Sequence, residues 1–326
     1  MATQRRPGSN PSPLVHDRNL RKKESDGQYN REYLAEIRTK YNEWNVANIG
    51  LVGPSTDISN EQADRETIAK RVALLEEYKT FIDQQHYAEH FDSRSNLHST
   101  VLEEFLYYLF ADLVRDFGAN ALIGKSHAFK DIFFVPPRYS EMVKMPYGRI
   151  EKKDHDFVIG TTVEATFTSS VPLAQDDNPG GEVSIIAEEP VDYDVPTVRD
   201  NVETHVFDIP AIAIECKTYL DKTMLEGSSR AAEEIKARNP NGLYIVVMEW
   251  IKLTDAVNLR KYKVDQIYVL RKQKNTDRKD RYRESYIKNP IDPDVVWHLF
   301  KTVRDHLTRD WEAGVDTGLQ RGWLIG

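Results

Sequence analysis

Glu215 and Lys217 stand at the end of an apolar run, PAIAIECKTYLDK, over residues 210–222. Ala211, Ile212, Ala213 and Ile214 read as a short buried strand. Side chains two apart on a strand share a face, so Glu215 and Lys217 point the same way. Charge at the end of a buried strand costs free energy unless it is paired or binds something. The other Glu-x-Lys triplets are Glu77-Tyr-Lys79, Glu151-Lys-Lys153 and Glu234-Ile-Lys236. They fall on predicted helices, where i and i+2 do not face one another, or in a charged, turn-like stretch. Of these triplets, Glu215/Lys217 is the one that ends an apolar strand.

A second carboxylate lies upstream in RIEKKDHDFVIG, where Asp156 leads into the apolar residues 157–159 and Asp154 sits two residues earlier. If this strand lies beside the Glu215 strand, Asp156, Glu215 and the Cys216 carbonyl converge as hard oxygen ligands for Mg²⁺. Lys217, near the same ion, then orients or helps deprotonate a water. A divalent ion stabilises the charge of a phosphorane-like transition state and lowers the pKa of the attacking water, so the set suits phosphodiester hydrolysis. The alternative is structural: Asp156 caps a turn and Glu215 only pairs with Lys217. A third acid, Glu103 in LHSTVLEEFL, lies beside the apolar face of its helix and can reach the metal site, whereas Glu104 points roughly opposite. Thr100-x-x-Glu103 is equally a capping-box pattern. His155, between two acids, reads as an exposed turn residue. Cys216, on the face opposite Glu215 and Lys217, reads as a small buried apolar residue and not a nucleophile.

Asp156, then Glu215-Cys216-Lys217, then a helix and two strands resembles the PD-(D/E)xK nuclease superfamily. The longer phrases AIAIECKTYLDKTMLEG and KKDHDFVIG resemble, more narrowly, the type II restriction endonucleases of the BbvCI and Bpu-type family. The resemblance covers most of the chain after about Tyr29. It implies an α/β fold built on a PD-(D/E)xK nuclease core. It implies a Mg²⁺-dependent type II site-specific deoxyribonuclease that cuts double-stranded DNA at a short sequence with a CTNAG-like core. It further implies a homodimer, or a heterodimer with a related subunit, and a cognate DNA methyltransferase as functional partner. Carried over by position, Asp156 and Glu215 bind metal and Lys217 is the catalytic lysine. The interval between Asp156 and Glu215 is long for this superfamily and an acidic segment fills it. That leaves Asp154, Asp192, Asp194, Asp200 or Asp208 open as the first acid.

These residues need a sheet to position them. Residues 1–28 are polar, with Pro, Gly and Ser, and read as a poorly ordered arm. Residues 29–95 read as a helical N-terminal region, and 96–326 as the core, with an acidic insertion or long hairpin at about 161–206. Ile68, Val72, Leu75, Tyr78 and Ile82 recur at three-to-four spacing, which predicts one amphipathic helix over 60–92. Leu102, Phe105, Leu106, Leu109, Leu113 and Phe117 share a face of a second helix, stopped by Gly118. NALIGKS, KDIFFVPP, HDFVIGTTVEATFT, LYIVVMEW and DQIYVLR read as strands, LYIVVMEW being apolar enough for burial on both faces. SSRAAEEIKAR reads as a helix, as does DPDVVWHLFKTVRDHLTRDWEAG, which is opened by an Asp292 cap and Pro293. The order predicts a central mixed sheet flanked by helices.

Composition bounds the rest. The 326 residues are 40% hydrophobic and 29% charged, with a net charge of −8, as expected of a soluble chain with a real core. No apolar run approaches the roughly 20 residues of a membrane span. MATQRRPGSNPSP is no secretory signal. The single cysteine excludes an intramolecular disulfide and a cysteine-rich zinc site. These features predict a cytoplasmic protein, and the family resemblance implies a bacterial one. Charge is segregated: ten acids face one base, Arg199, over 175–208, and twelve bases face five acids over 252–288. The basic stretch, interleaved with Tyr268, Tyr282 and Tyr286, supplies the expected DNA contacts: Arg271, Lys272, Lys274, Arg278, Lys279, Arg281 and Arg283. Its alternative is a solvated loop. The basic RNLRKK near the N-terminus is a further candidate. Two other functions use the same core: a structure-specific repair or junction-resolving nuclease, and a non-catalytic DNA-binding module. The chain has neither a G-x-S-x-G elbow nor a P-loop.

Overall fold

The computed structural model describes residues 14–91, 96–133, 138–140, 149–172, 198–275, 280–311, 319–320 and 322. Among them, five strands form one sheet in sequence order: β1 (Ala121–Phe133), β2 (Arg149–Pro172), β3 (Val198–Leu220), β4 (Leu243–Ile251) and β5 (Gln266–Val269). β1, β2 and β3 pair antiparallel, whereas β3, β4 and β5 run parallel. The parallel step from β3 to β4 requires a crossover, and α6 (Lys222–Lys236) provides it. Period two assigns the faces. Ile212, Ile214, Cys216, Ile245 and Val247 enter the larger core, and Ala213, Val246 and Met248 enter a smaller one under α6. Residues 244–250 of β4 are all buried, as a strand covered on both faces must be.

Among the described residues, five α-helices precede the sheet: α1 (Val15–Asp26), α2 (Arg31–Ile49), α3 (Glu61–Ile82), α4 (Gln85–His90) and α5 (Leu97–Arg115). α7 (Pro293–Thr308) closes the chain's described core, opened by the Asp292 cap and Pro293 as expected. α5 lies at the centre, with Leu102, Phe105, Leu106, Leu109 and Leu113 buried. Phe117, expected on the same face, lies past the last turn and is 47% exposed. A single hydrophobic cluster joins Leu20 and Ile37, the α5 face, Phe157, Ile214 and Phe300. The N-terminal helices therefore form a layer on the core of the sheet.

Several elements differ from the sequence expectations. Residues 15–26, expected within the arm, form α1, which buries Val15, His16, Leu20 and Lys23; residues 1–13 lie outside the described residues. The helix expected over 60–92 is two, since α3 ends at Ile82 and α4 starts at Gln85. The segments expected as two strands, NALIGKS and KDIFFVPP, fall in one strand, β1, over Ala121–Phe133. The long interval between Asp156 and Glu215 is filled by the β2–β3 hairpin, paired from Phe157↔Ile214 out to Pro172↔Val198. Residues 173–197, which hold most of the acidic segment, lie outside the described residues.

Arg271 also departs from expectation. It is fully buried, with its Nε 3.0 Å from Glu249 and its Nη1 2.7 Å from Glu76 of α3. Glu249, the charged residue of β4, is buried as well and is met from the other side by Lys79 of α3. Burial removes Arg271 from any DNA surface. Its guanidinium instead satisfies a carboxylate that the core encloses, and it continues to the Asn289 carbonyl at 2.9 Å.

Two substitutions test this packing. The β2–β3 register shifts at Gly160, where a Cβ would lie 2.2 Å from the Ile209 carbonyl oxygen. Gly160→Ala is expected to lower the unfolding free energy by at least about 2 kcal/mol. Arg271→Met, which leaves Glu249 half-paired, is expected to cost about 3–5 kcal/mol. Both are read by denaturant titration, and a loss within roughly 0.5 kcal/mol contradicts the corresponding packing.

Candidate active site

Asp156 and Glu215 sit where two strands part. The β2–β3 ladder begins at Phe157↔Ile214, and Asp156 and Glu215 are the next residues outward on each strand. On the other side of β2, the register steps from Gly124↔Val158 to Ser126↔His155. Asp156 and Phe157 thus stand against the single residue Lys125, which is a β-bulge. Bulges bend a strand and re-aim a side chain. Here Asp156 turns to β3, where its Oδ2 accepts a hydrogen bond from the Cys216 amide at 3.1 Å. The carboxylate takes the place of the strand partner that β2 no longer offers.

Glu215 and Lys217 share a face, as period two requires. Lys217 Nζ lies 2.8 Å from Glu215 Oε1 and 3.8 Å from Asp156 Oδ2. The Tyr244 hydroxyl of β4 donates to Glu215 Oε2 at 2.9 Å. Burial pushes the Glu215 carboxyl up, but the Lys217 charge and the hydrogen bonds from Lys217, Ser228 and Tyr244 together hold the group below its usual range. Burial pulls the Lys217 ammonium down, and Asp156 and Glu215 together raise it above its ordinary value. The pair is stabilised in its charged form.

Glu103 on α5 feels the charges of this cluster, those of Asp156 and Lys217. It is buried, and its Oε2 has no hydrogen-bond partner among the described residues. Burial and then the negative charge of Asp156 push its carboxyl up to about 7, against Lys125, Lys217 and Arg18. The capping-box alternative is not realised: α5 starts at Leu97, and the Thr100 hydroxyl turns back to the Asn96 carbonyl at 2.8 Å.

Glu104 does not point to solvent but is fully buried. Its Oε2 accepts the backbone N–H groups of His16 and Asp17 at 2.8 and 3.2 Å. Its Oε1 accepts the hydroxyls of Tyr41 and Tyr108 at 2.9 and 2.7 Å. A carboxylate on the first amides of α1 satisfies donors with no intrahelical partner and complements the helix dipole. Sequence reasoning misses this role because α1 is read there as part of an arm.

Two of the rival first acids, Asp154 and Asp208, are placed elsewhere. Asp154 is exposed and paired with His127. Asp208 lies within β3, bonded by Ser126 Oγ at 2.5 Å and Thr162 Oγ1 at 2.8 Å. It is roughly 23 Å along the strand from Glu215. Asp192 and Asp194 lie outside the described residues, as does the Asp200 side chain. His155 is buried on β2 against Tyr244, not exposed in a turn, and burial lowers its pKa. Cys216 is buried, and burial pushes its thiol up. Among the described residues no three His, Cys, Asp or Glu side chains form a ready-made metal cage.

The basic stretch after β5 is only partly available. Lys272 is exposed and 2.5 Å from Asp292, Lys274 is exposed and 3.8 Å from Asp255, and Arg283 is exposed and 3.2 Å from Asp280. The half-buried Arg281 lies over the Tyr282 ring at 4.7 Å. Arg278 and Lys279 lie outside the described residues.

The model of one protein family, the Bpu10I restriction endonuclease, matches residues 94–190 and 190–324, a span that includes Glu103, Asp156, Glu215 and Lys217. The chain belongs to the Bpu10I restriction endonuclease family. Among solved structures it is similar to a chain of the native BbvCI A2B2 tetramer. The two are 19% identical, over 92% of this chain and 98% of that chain, with a TM-score of 0.61. At that identity the likeness is one of fold: a mixed sheet flanked by helices, with helices ahead of it. No curated protein matches the chain significantly. No helix among the described residues is long and apolar enough to cross a membrane.

Glu103 yields a pH-dependent expectation. Its folded value, about 7, lies above its ordinary 4.5, so the fold favours the protonated form. The cost of ionising it is absent below the lower value and complete above the higher one. Glu103→Gln is therefore expected to stabilise the protein by on the order of 2–3 kcal/mol in alkaline buffer, and by far less in acid. Thermal unfolding across pH reads this, and a difference that does not change with pH contradicts it.

Proposed function

We propose that this chain is a metal-dependent type II restriction endonuclease, or one subunit of one, that hydrolyses phosphodiester bonds of double-stranded DNA at Asp156, Glu215 and Lys217. The carrying observation is the convergence of these three side chains at the β2–β3 fork, in a member of a restriction endonuclease family. The donors fit Mg²⁺. Two carboxylates are hard oxygen ligands, and the Cys216 carbonyl projects to the same side of β3 as its amide, the side that meets Asp156. Glu103, buried with an unpartnered oxygen, adds a further carboxylate beside them. When bound, the ion supplies charge neutralisation at the scissile phosphate and a more acidic water.

The chain's own groups position and polarise. Tyr244 holds Glu215, and Glu215 holds Lys217. The Lys217 ammonium therefore points at the reacting position with its charge reinforced. A lysine whose hold on its proton is strengthened is a poor proton acceptor, so Lys217 acts as an electrostatic stabiliser and water-orienting donor. Cutting both strands needs two such sites. The tetrameric state of the BbvCI protein supports an assembly of this chain with itself or a related subunit. The same reading includes a short recognition sequence with a CTNAG-like core, a cognate methyltransferase and a cytoplasmic location.

A plasmid digest with Mg²⁺ tests it, alongside Mg²⁺-free, Glu215→Ala and Lys217→Ala samples, with the ends sequenced. Discrete fragments sharing one end sequence are expected, falling at least about a hundredfold in each variant. Nicked circles alone assign a one-strand subunit. Cleavage confined to branched DNA assigns a repair enzyme instead, and binding without cleavage, with any related subunit added, assigns a binding module.

A further inference from the structure

α1 carries a polar face that looks across to β1. Arg18, Lys22 and Asp26 follow one another at four-residue spacing, so they share that face. Lys125 of β1 stands opposite, at the bulge that re-aims Asp156. Together with Lys23 and Thr100 they line a cleft of about 510 Å³. Four of the lining side chains are cations and Asp26 is the one carboxylate. Among the described residues, Arg18, Lys22 and Lys125 have no ion-pair partner. Lys23 is 5% exposed, its ammonium 4.8 Å from the centre of the Tyr29 ring.

The cleft adjoins the fork. Thr100 precedes Glu103 on α5 by about 4.5 Å of helix rise, and both Arg18 and Lys125 act on the Glu103 carboxyl. Glu104 fixes the first turn of α1 from the same helix, so the cations are held at a set distance from the carboxylates. Unpaired cations gathered in a concave surface are what a polyanion neutralises, whereas the exposed cations Lys272 and Arg283 after β5 have acids beside them.

We propose that the α1/β1 cleft, through Arg18, Lys22 and Lys125, seats a backbone phosphate of the DNA strand being cut, adjacent to the phosphate held at Asp156 and Glu215. This rests on the reading of the fork as a nuclease site. The interaction is with the backbone, so it positions the strand and carries no sequence information.

The test is anisotropy binding of the full chain to a short random-sequence duplex, without Mg²⁺, across a salt series. Arg18→Ala/Lys22→Ala, Lys125→Ala and the charge-conserving Arg18→Lys/Lys22→Arg are compared with wild type. Lys301→Ala, exposed on α7, serves as the charge-matched control. The slope of log K against log salt is expected to fall by about 0.9 for each cation removed from the phosphate, near two in the double variant and near one in Lys125→Ala. Affinity at moderate salt is expected to drop about tenfold or more. The charge-conserving variant and Lys301→Ala are expected to keep the wild-type slope, and thermal unfolding reports that each variant is folded. Unchanged slopes in both alanine variants, or an equal fall in Lys301→Ala, overturn the cleft while a wild type that cuts plasmid keeps the nuclease reading. A wild type that neither binds nor cuts DNA overturns both.

Discussion

The separation of β2 from β3 immediately past Phe157↔Ile214 is the constraint on which the site depends. Two paired strands do not separate without leaving amides unpartnered, and a buried unpartnered amide is costly. The bulge opposite Lys125 resolves this by swinging Asp156 over so that its carboxylate takes the Cys216 amide. β3 meanwhile stays in register with β4, at Glu215↔Val246 and Lys217↔Met248. One side of the fork is therefore regular sheet that fixes Glu215 and Lys217, and the other is bent away to open it. The same local event brings Asp156 beside Glu215 and Lys217 and leaves the fork open, as the proposed nuclease site requires.

The helices hold that arrangement from outside by burying charge in matched sets. Glu104 ties α5 to α1, α2 and Tyr108, and Lys79, Glu249, Arg271 and Glu76 tie α3 to the sheet and to the chain after β5. Buried ions contribute little net stability compared with apolar packing, yet breaking one set strands its partner. Such sets fix which helix lies where, and so fix the distance from α1 and α5 to the fork.

The readable parts of the chain were those governed by local period. The alternation across Glu215, Cys216 and Lys217, the apolar run of β4 and the Asp292–Pro293 start of α7 need only neighbouring residues. The bulge at Asp156 is set by pairing between separate strands, and the Asp156–Cys216 hydrogen bond joins residues 60 apart, so the sequence allows the convergence without requiring it. α1 eludes a search for apolar period because its buried positions include His16 and Lys23. Arg271 sits in a run of bases that composition marks as solvated. Its partners Glu249 and Glu76 lie on distant elements, the latter 195 residues away. Long-range pairing of charge, more than hydrophobic pattern, is what escaped the sequence.

The most direct measurement is crystallographic: the chain crystallised with Mn²⁺, and the anomalous signal located in wild type and in Glu215→Ala. The account predicts a peak at inner-sphere distance from the Asp156 and Glu215 carboxylates and the Cys216 carbonyl, absent in the variant. A peak away from the fork, or one at the fork that survives Glu215→Ala undiminished, contradicts it.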